Sequence, residues 1–289
     1  MPLQSLFSRF NWTYDNWGAN PSATPGTSVT PGISNAEGAW TQIASAANIA
    51  QDAWGFWLRI SDNAVAAPTT GKNFLLDVGI DPAGGTSYVQ QIANIACGSA
   101  GPITSSSGGG HQFFFPFFIK SGSSVAVRIQ GSHGTATASI VGAKFYGRPA
   151  NPELSRVGQH SETIGTITNS NGVSFTPGNA ADGSWVSLGT TTRALWWWQL
   201  AYQVDNGVIT AEYAYIDLSW GDATNKHLII RRMHSGTTAE QIGSIINGNL
   251  NGPWEAYCPV PVGANLYIRG RCNNAPDAGY NGVAIGIGG

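Results

Sequence analysis

Apolar and polar positions alternate with a period of two along "SVAVRIQG" (124–131) and "NLYIRG" (265–270). In the first run Val125, Val127 and Ile129 face one way and Ala126 and Arg128 the other, the pattern of a strand with one face buried. Similar runs rich in Val, Ile, Thr and aromatic residues recur between clusters of Gly, Asn, Asp and Ser, which predicts an all-β chain. Two runs are apolar on both faces, "FFFPFF" (113–118) and the Trp-rich stretch "RALWWWQLAYQVDN" (193–206). On a regular strand Trp196 and Trp198 share one face and Trp197 takes the other. Strands apolar on both faces lie between layers, so one face of this run is expected in a sandwich core and the other under protein. The contrasting expectation is a sugar platform of exposed rings. Helical patterning is scarce: the Ala-rich stretch at 43–53 allows one or two turns at most.

The pattern occurs twice, at an offset of about 140–146 residues. Thr30-Pro31-Gly32 answers Thr176-Pro177-Gly178, and "EGAW" (37–40) answers "DGSW" (182–185). "WGFWLRISDN" (54–63) matches "WWQLAYQVDN" (197–206), and Asp77 matches Asp217. Gly122 and Arg128 match Gly263 and Arg269 without a gap. An offset of this size is a domain length rather than a solenoid period. With roughly eight strands per half, the fold class expected is two tandem jelly-roll-like β-sandwich domains with an extended N-terminal arm. The expected boundaries are the arm at 1–25, a first sandwich at 26–148, a linker at 149–163 and a second sandwich at 164–289.

Composition narrows the function. Fourteen basic and 16 acidic residues leave a net charge of −2, which argues against capture of nucleic acid or an anionic membrane. Charged residues make up 10% of the chain, well under the ordinary share, while 11 Trp, 11 Phe and 9 Tyr supply ample core. Such a surface is weakly protected against association, so partners are expected to cover much of it. Cys97, Cys258 and Cys272 have neither even number nor C-x-x-C spacing and read as reduced, buried strand residues. The N-terminus lacks a signal-peptide pattern, and no apolar run reaches membrane-spanning length.

Candidate chemistry is thin. The five histidines (111, 133, 160, 227 and 234) form no metal-ligand spacing, and neither a metal site nor a cofactor is expected. His160, Ser161 and Glu162 are adjacent in "QHSET" but lack a nucleophile elbow, and read as solvated linker residues. Asp77 and Asp217 could serve as a facing carboxylate pair; the competing account places each at a strand end before a turn. "SSSGGGH" (105–111) reads as a loop rather than a phosphate cradle. Trp54, Trp57, Trp196, Trp197 and Trp198 remain as an aromatic packing face or, alternatively, a carbohydrate platform, with Trp220 and Trp254 as further platform candidates. The arm residues Phe7, Phe10, Trp12, Tyr14 and Trp17 are candidates for clamping a neighbouring subunit. Half-burial of five such rings at ~25 cal/mol per Å² gives an upper bound of about 12 kcal/mol before ordering costs.

These blocks resemble a group of tailed-phage virion proteins. Their "TPG…G-x-W" opening and late hydrophobic-Pro-Ala-Gly strand ending in Arg are approached by "VPVGANLYIRGR" (260–271) and, without the proline, by "IKSGSSVAVRIQ" (119–130). The resemblance implies a non-enzymatic component of the particle, assembled in a bacterial cytoplasm. It is expected to be a capsid decoration or cement protein whose partners are the major capsid protein and copies of itself, with no nucleic acid or membrane. The alternative is a tail or collar component that binds a bacterial surface glycan.

Overall fold

In the computed structural model, residues 10–16, 26–32, 36–62, 72–99, 111–131, 139–149, 156–165, 172–204, 212–237, 255–273 and 280–289 are described. All regular elements among them are strands. The first half holds β1 (Thr13–Asp15), β2 (Thr27–Val29), β3 (Thr41–Ala44), β4 (Gly55–Asp62), β5 (Lys72–Asp81), β6 (Val89–Ser99), β7 (His111–Phe115), β8 (Ser124–Gly131) and β9 (Ser139–Tyr146). The second holds β10 (His160–Ile164), β11 (Val173–Phe175), β12 (Gly178–Asn179), β13 (Val186–Thr190), β14 (Leu195–Val204), β15 (Glu212–Gly221), β16 (Lys226–Thr237), β17 (Glu255–Val260), β18 (Asn265–Cys272) and β19 (Tyr280–Gly288).

Each half is a jelly roll. In the first, β1-β9-β4-β7 form one sheet, with β2 also on β9, and β3-β8-β5-β6 form the other. In the second, β10-β19-β14-β17 (β11 also on β19) face β18, β15 and β16, with β12 and β13 on β18. The chain changes sheets at most connections, so the sheets are wound together. The inward faces carry the period-two apolar sets: Leu76, Val78 and Ile80 of β5 meet Val125, Val127 and Ile129 of β8, all buried. The β7–β8 and β17–β18 turns both require a left-handed residue, supplied by Gly122 (φ 80°) and Gly263 (φ 78°). The Ala-rich stretch closes as a single turn, where the backbone N–H groups of Asn48 and Ile49 both reach the Ser45 carbonyl.

Three sequence expectations shift. The arm is extended, but Thr13–Asp15 pairs antiparallel with Tyr146–Lys144 and is an edge strand of the first sandwich. The expected linker contains β10, which pairs with β19 from His160–Gly288 to Ile164–Ala284. Its short polar run hides a strand because only one side chain, Ile164, is buried. The aromatic blocks are also offset by one residue from the sequence match. Ala53 bridges Ile119 as Leu195 pairs with Val260, so Phe56 corresponds to Trp198 and Trp54 to Trp196. The shared "DN" ending misled because it lies at the loop, where strand length varies.

The halves pack face to edge. The outer face of β14 and β19 covers the β5–β6 side of the first sandwich, where Leu75, Ala201 and Val283 form a buried cluster. The Trp197 ring meets Phe115 edge-on at 5.8 Å. Thr163 Oγ1 donates to the Ala93 carbonyl (2.9 Å) and accepts from the Ala93 N–H (3.0 Å), and the Ser161 hydroxyl donates to the Gln91 carbonyl. Phe117 and Gly158 form a parallel bridge beside them.

Candidate functional site

The Trp-rich strand is bulged. Its pairing with β17 slips between Leu195 and Trp197, so the alternation expected of a regular strand fails there. Leu195 and Trp198, not Trp196 and Trp198, share the core face: a Cβ on Gly286 would meet both side chains. Trp198 is fully buried and donates its indole N–H to the Cys258 carbonyl at 2.9 Å. Trp197, also fully buried, points outward into the contact between halves. Trp196 is half-buried and stacks on Tyr257 at 5.9 Å and 14°. Its counterpart Trp54 is half-buried under the Arg148 guanidinium, 5.8 Å from the ring. Trp57 leans on buried Phe114 at 5.3 Å.

The arm residues engage their own chain. The Phe10 ring lies 4.7 Å from Tyr146, and Tyr14 stacks on core residue Phe145 at 6.1 Å. Trp12 and Tyr14 pack against the core, half-buried. Phe10, Trp12 and Tyr14 thus pack on their own chain, where β9 offers the arm an edge to pair with. Phe7 and Trp17 lie outside the described residues, as does Trp254. Burial pushes the Tyr146 hydroxyl up to about 12.

The chemistry-bearing residues gather in two matching clusters, one on each sandwich. In the first, buried Asp77 accepts Arg128 Nε at 2.9 Å and the Asn94 N–H at 2.8 Å. Arg128 Nη1 reaches Glu37 at 2.5 Å, and its guanidinium lies 4.6 Å over Trp40. In the second, Asp217 accepts Arg269 Nε at 2.9 Å and the Arg232 N–H at 2.7 Å. Arg269 Nη2 reaches Asp182 at 2.8 Å, and its guanidinium lies 4.4 Å over Trp185. The repeated "EGAW" and "DGSW" blocks thus bring an acid and a ring to the same arginine. Asn94 and Arg232 both take positive φ (56° and 52°) at bulges opposite the aspartates, which turns their N–H groups onto the carboxylates. Sequence reading found both Asp–Arg matches but not these donors, because a bulge leaves no mark in a period-two pattern. Both aspartates sit in mid-strand rather than at a strand end, and each is held by its own sandwich's arginine. Glu37, by contrast, is held above the usual carboxylate range, chiefly by burial, against the pull of Arg128.

The residues of "QHSET" do not converge as a triad. His160 Nε2 faces the Ala194 carbonyl at 3.4 Å, Ser161 reaches Gln91, and Glu162 accepts the Thr192 N–H at 3.0 Å and its hydroxyl. They are strand residues that tie segments together rather than solvated linker groups. Cys272 is buried, its thiol 3.6 Å from the Tyr280 hydroxyl, and Cys258 is half-buried, while Cys97 lies on β6. A cleft of about 310 Å³ opens at the end of the second sandwich, between the β15–β16 and β17–β18 turns. Trp220, stacked on His227 at 4.6 Å, lines it with Asn225 and Asn265. Among the described residues no group of three His, Cys, Asp or Glu side chains is placed to hold a metal ion.

No family model matches the chain. No curated protein sequence matches it either. Solved structures give distant likenesses. The tandem CBM22-1–CBM22-2 domain of Paenibacillus barcinonensis Xyn10C is 13% identical over 85% of this chain and 82% of that one, with a TM-score of 0.25. PNGase F, a glycosylasparaginase from Flavobacterium meningosepticum, is 10% identical over 96% of both chains, with a TM-score of 0.37. A chain of the cowpea mosaic virus top component, the naturally occurring empty particle, is 9% identical over 93% of this chain and 94% of that one, with a TM-score of 0.31. This chain is an all-β protein of sandwich, jelly-roll architecture.

Proposed function

We propose that this protein is a non-enzymatic structural component of a tailed-phage particle, a capsid decoration or cement protein that bridges major capsid subunits. The observation that carries the reading is the junction between the jelly rolls. Ligand and active sites of two-domain proteins favour such junctions, yet here Trp197, Leu75, Ala201 and Val283 pack into it. The acids that could do chemistry, Asp77 and Asp217, are instead held by arginines in two equivalent structural clips. A double sandwich with a charge content of 10% suits a block whose surface is covered by neighbours.

A glycan-binding tail or collar component is the second reading. It draws on the Trp196–Tyr257 stack, with Tyr257 48% exposed, and on the Trp220 cleft. Copy number in purified particles separates the two. A decoration protein is expected in hundreds of copies on the head, and particles lacking it should lose their contents at lower temperature. Tens of copies or fewer, confined to the tail, would overturn the first reading.

A further inference from the structure

We propose that the second sandwich carries a docking surface for the first sandwich of another copy, repeating head to tail the contact that joins the halves within one chain. The inference rests on the assembly reading above and names the surface. Because the halves share their strands and pairings, every position in the internal contact has a counterpart on the opposite half. Two of the internal contacts carry over, Leu75 against Ala201 and Ala93 against Thr163; the counterparts of Trp197 and Phe115 are Gly55 and Ala256, so that ring contact is not repeated.

The counterparts follow from the pairings. Tyr215 stands two residues before Asp217 as Leu75 stands before Asp77. Arg231 precedes Arg232, the donor to Asp217, as Ala93 precedes Asn94, the donor to Asp77. Arg59 pairs with Gly142 where Ala201 pairs with Val283, and Asp15 pairs with Lys144 where Thr163 pairs with Ile285. Transferring the internal contact to two copies therefore sets Arg59 of one against Tyr215 of the next, and Asp15 against Arg231.

All four residues are exposed. Tyr215, at 42%, is one of the few large apolar side chains so exposed among the described residues, whereas Leu75 at the same place is covered. The chemistry has changed on both sides in step. An apolar pair becomes a guanidinium on a tyrosine ring, and a hydroxyl on a backbone becomes a carboxylate on a guanidinium. Each replacement keeps the two surfaces complementary. Edge strand β16 of the second sandwich also offers its backbone, as β6 does inside the chain. Because the contact joins unlike surfaces, it propagates, closing into a ring or extending as a filament.

Sedimentation of the full chain at low salt tests this. At about 100 µM the chain should run as an oligomer, well above a dissociation constant on the order of 10 µM. Asp15→Arg and Arg231→Asp should each weaken association by about tenfold or more, with circular dichroism confirming an unchanged fold. The double variant should regain association, and so should an equimolar mixture of the two single variants, because every Arg then meets an Asp. A monomeric wild type, indifference to either reversal, or no recovery in the double variant and the mixture would overturn the proposal. A chain that is monomeric in solution yet enters particles at high copy number defeats this contact and leaves the decoration reading intact.

Discussion

Asp77 is 3% exposed and keeps its charge company with Arg128, Glu37 and the Asn94 N–H. Such a cluster is costly to break on one side only, because the remaining carboxylate would be buried without its cation. Arg128→Met is accordingly expected to destabilise the protein by ~3–5 kcal/mol, lowering Tm by roughly 2–4 °C per kcal/mol. Adding Asp77→Asn should restore much of that loss, since a neutral amide tolerates the site. Thermal denaturation of both variants checks this, and a single variant as stable as wild type would show that the clip contributes little. Trp40 and Trp185 add a π face over each guanidinium, which shields the pair from water.

At the scale of the strand, β14 divides its tryptophans among three environments. Trp198 fills the second core, Trp197 the junction, and Trp196 stacks on exposed Tyr257. Trp198→Ala is expected to cost ~3–5 kcal/mol by leaving a cavity and freeing the Cys258 carbonyl. Trp196→Ala should cost less than about 1 kcal/mol, since a half-exposed ring gives up little burial. Chemical denaturation distinguishes them, and equal losses would mean that the bulge does not redirect Trp196. A regular strand would have placed Trp196 in the core; the slip beside Trp197 puts Leu195 there instead.

For the whole molecule, the decisive contact is the one between halves. Its apolar part is continuous with both cores, because Trp197 reaches Phe115 of the first sandwich while its own strand builds the second. Coupled unfolding of the halves is expected from such a joint. Trp197→Ala should uncouple them, so that calorimetry resolves two transitions where the wild type gives one. A single transition, shifted as in Trp198→Ala, would place Trp197's contribution within one sandwich. The arm belongs to this scale too: deleting residues 1–16 would remove β1 from the first sheet as well as any outward reach.

The all-β fold, its duplication and the paired Asp77–Asp217, Arg128–Arg269 and Trp40–Trp185 positions were legible in the amino-acid order. Period-two alternation is a local property, and a repeat copies it together with the residues that must meet. The sequence alone also matched Gly122 with Gly263, and the structure puts both at turns because only a residue without a Cβ enters that backbone region cheaply. What it left open depends on contacts remote in the chain. Whether Thr13–Asp15 reaches for a neighbour or pairs with β9 is decided by an edge more than 120 residues away. Bulges at Asn94, Arg232 and Trp197 arise from matching one strand to another, so no window of single-strand sequence contains them. The meeting of Leu75 with Ala201 is likewise invisible before folding, because a small apolar residue on an outward face looks the same whether solvent or a sister domain covers it.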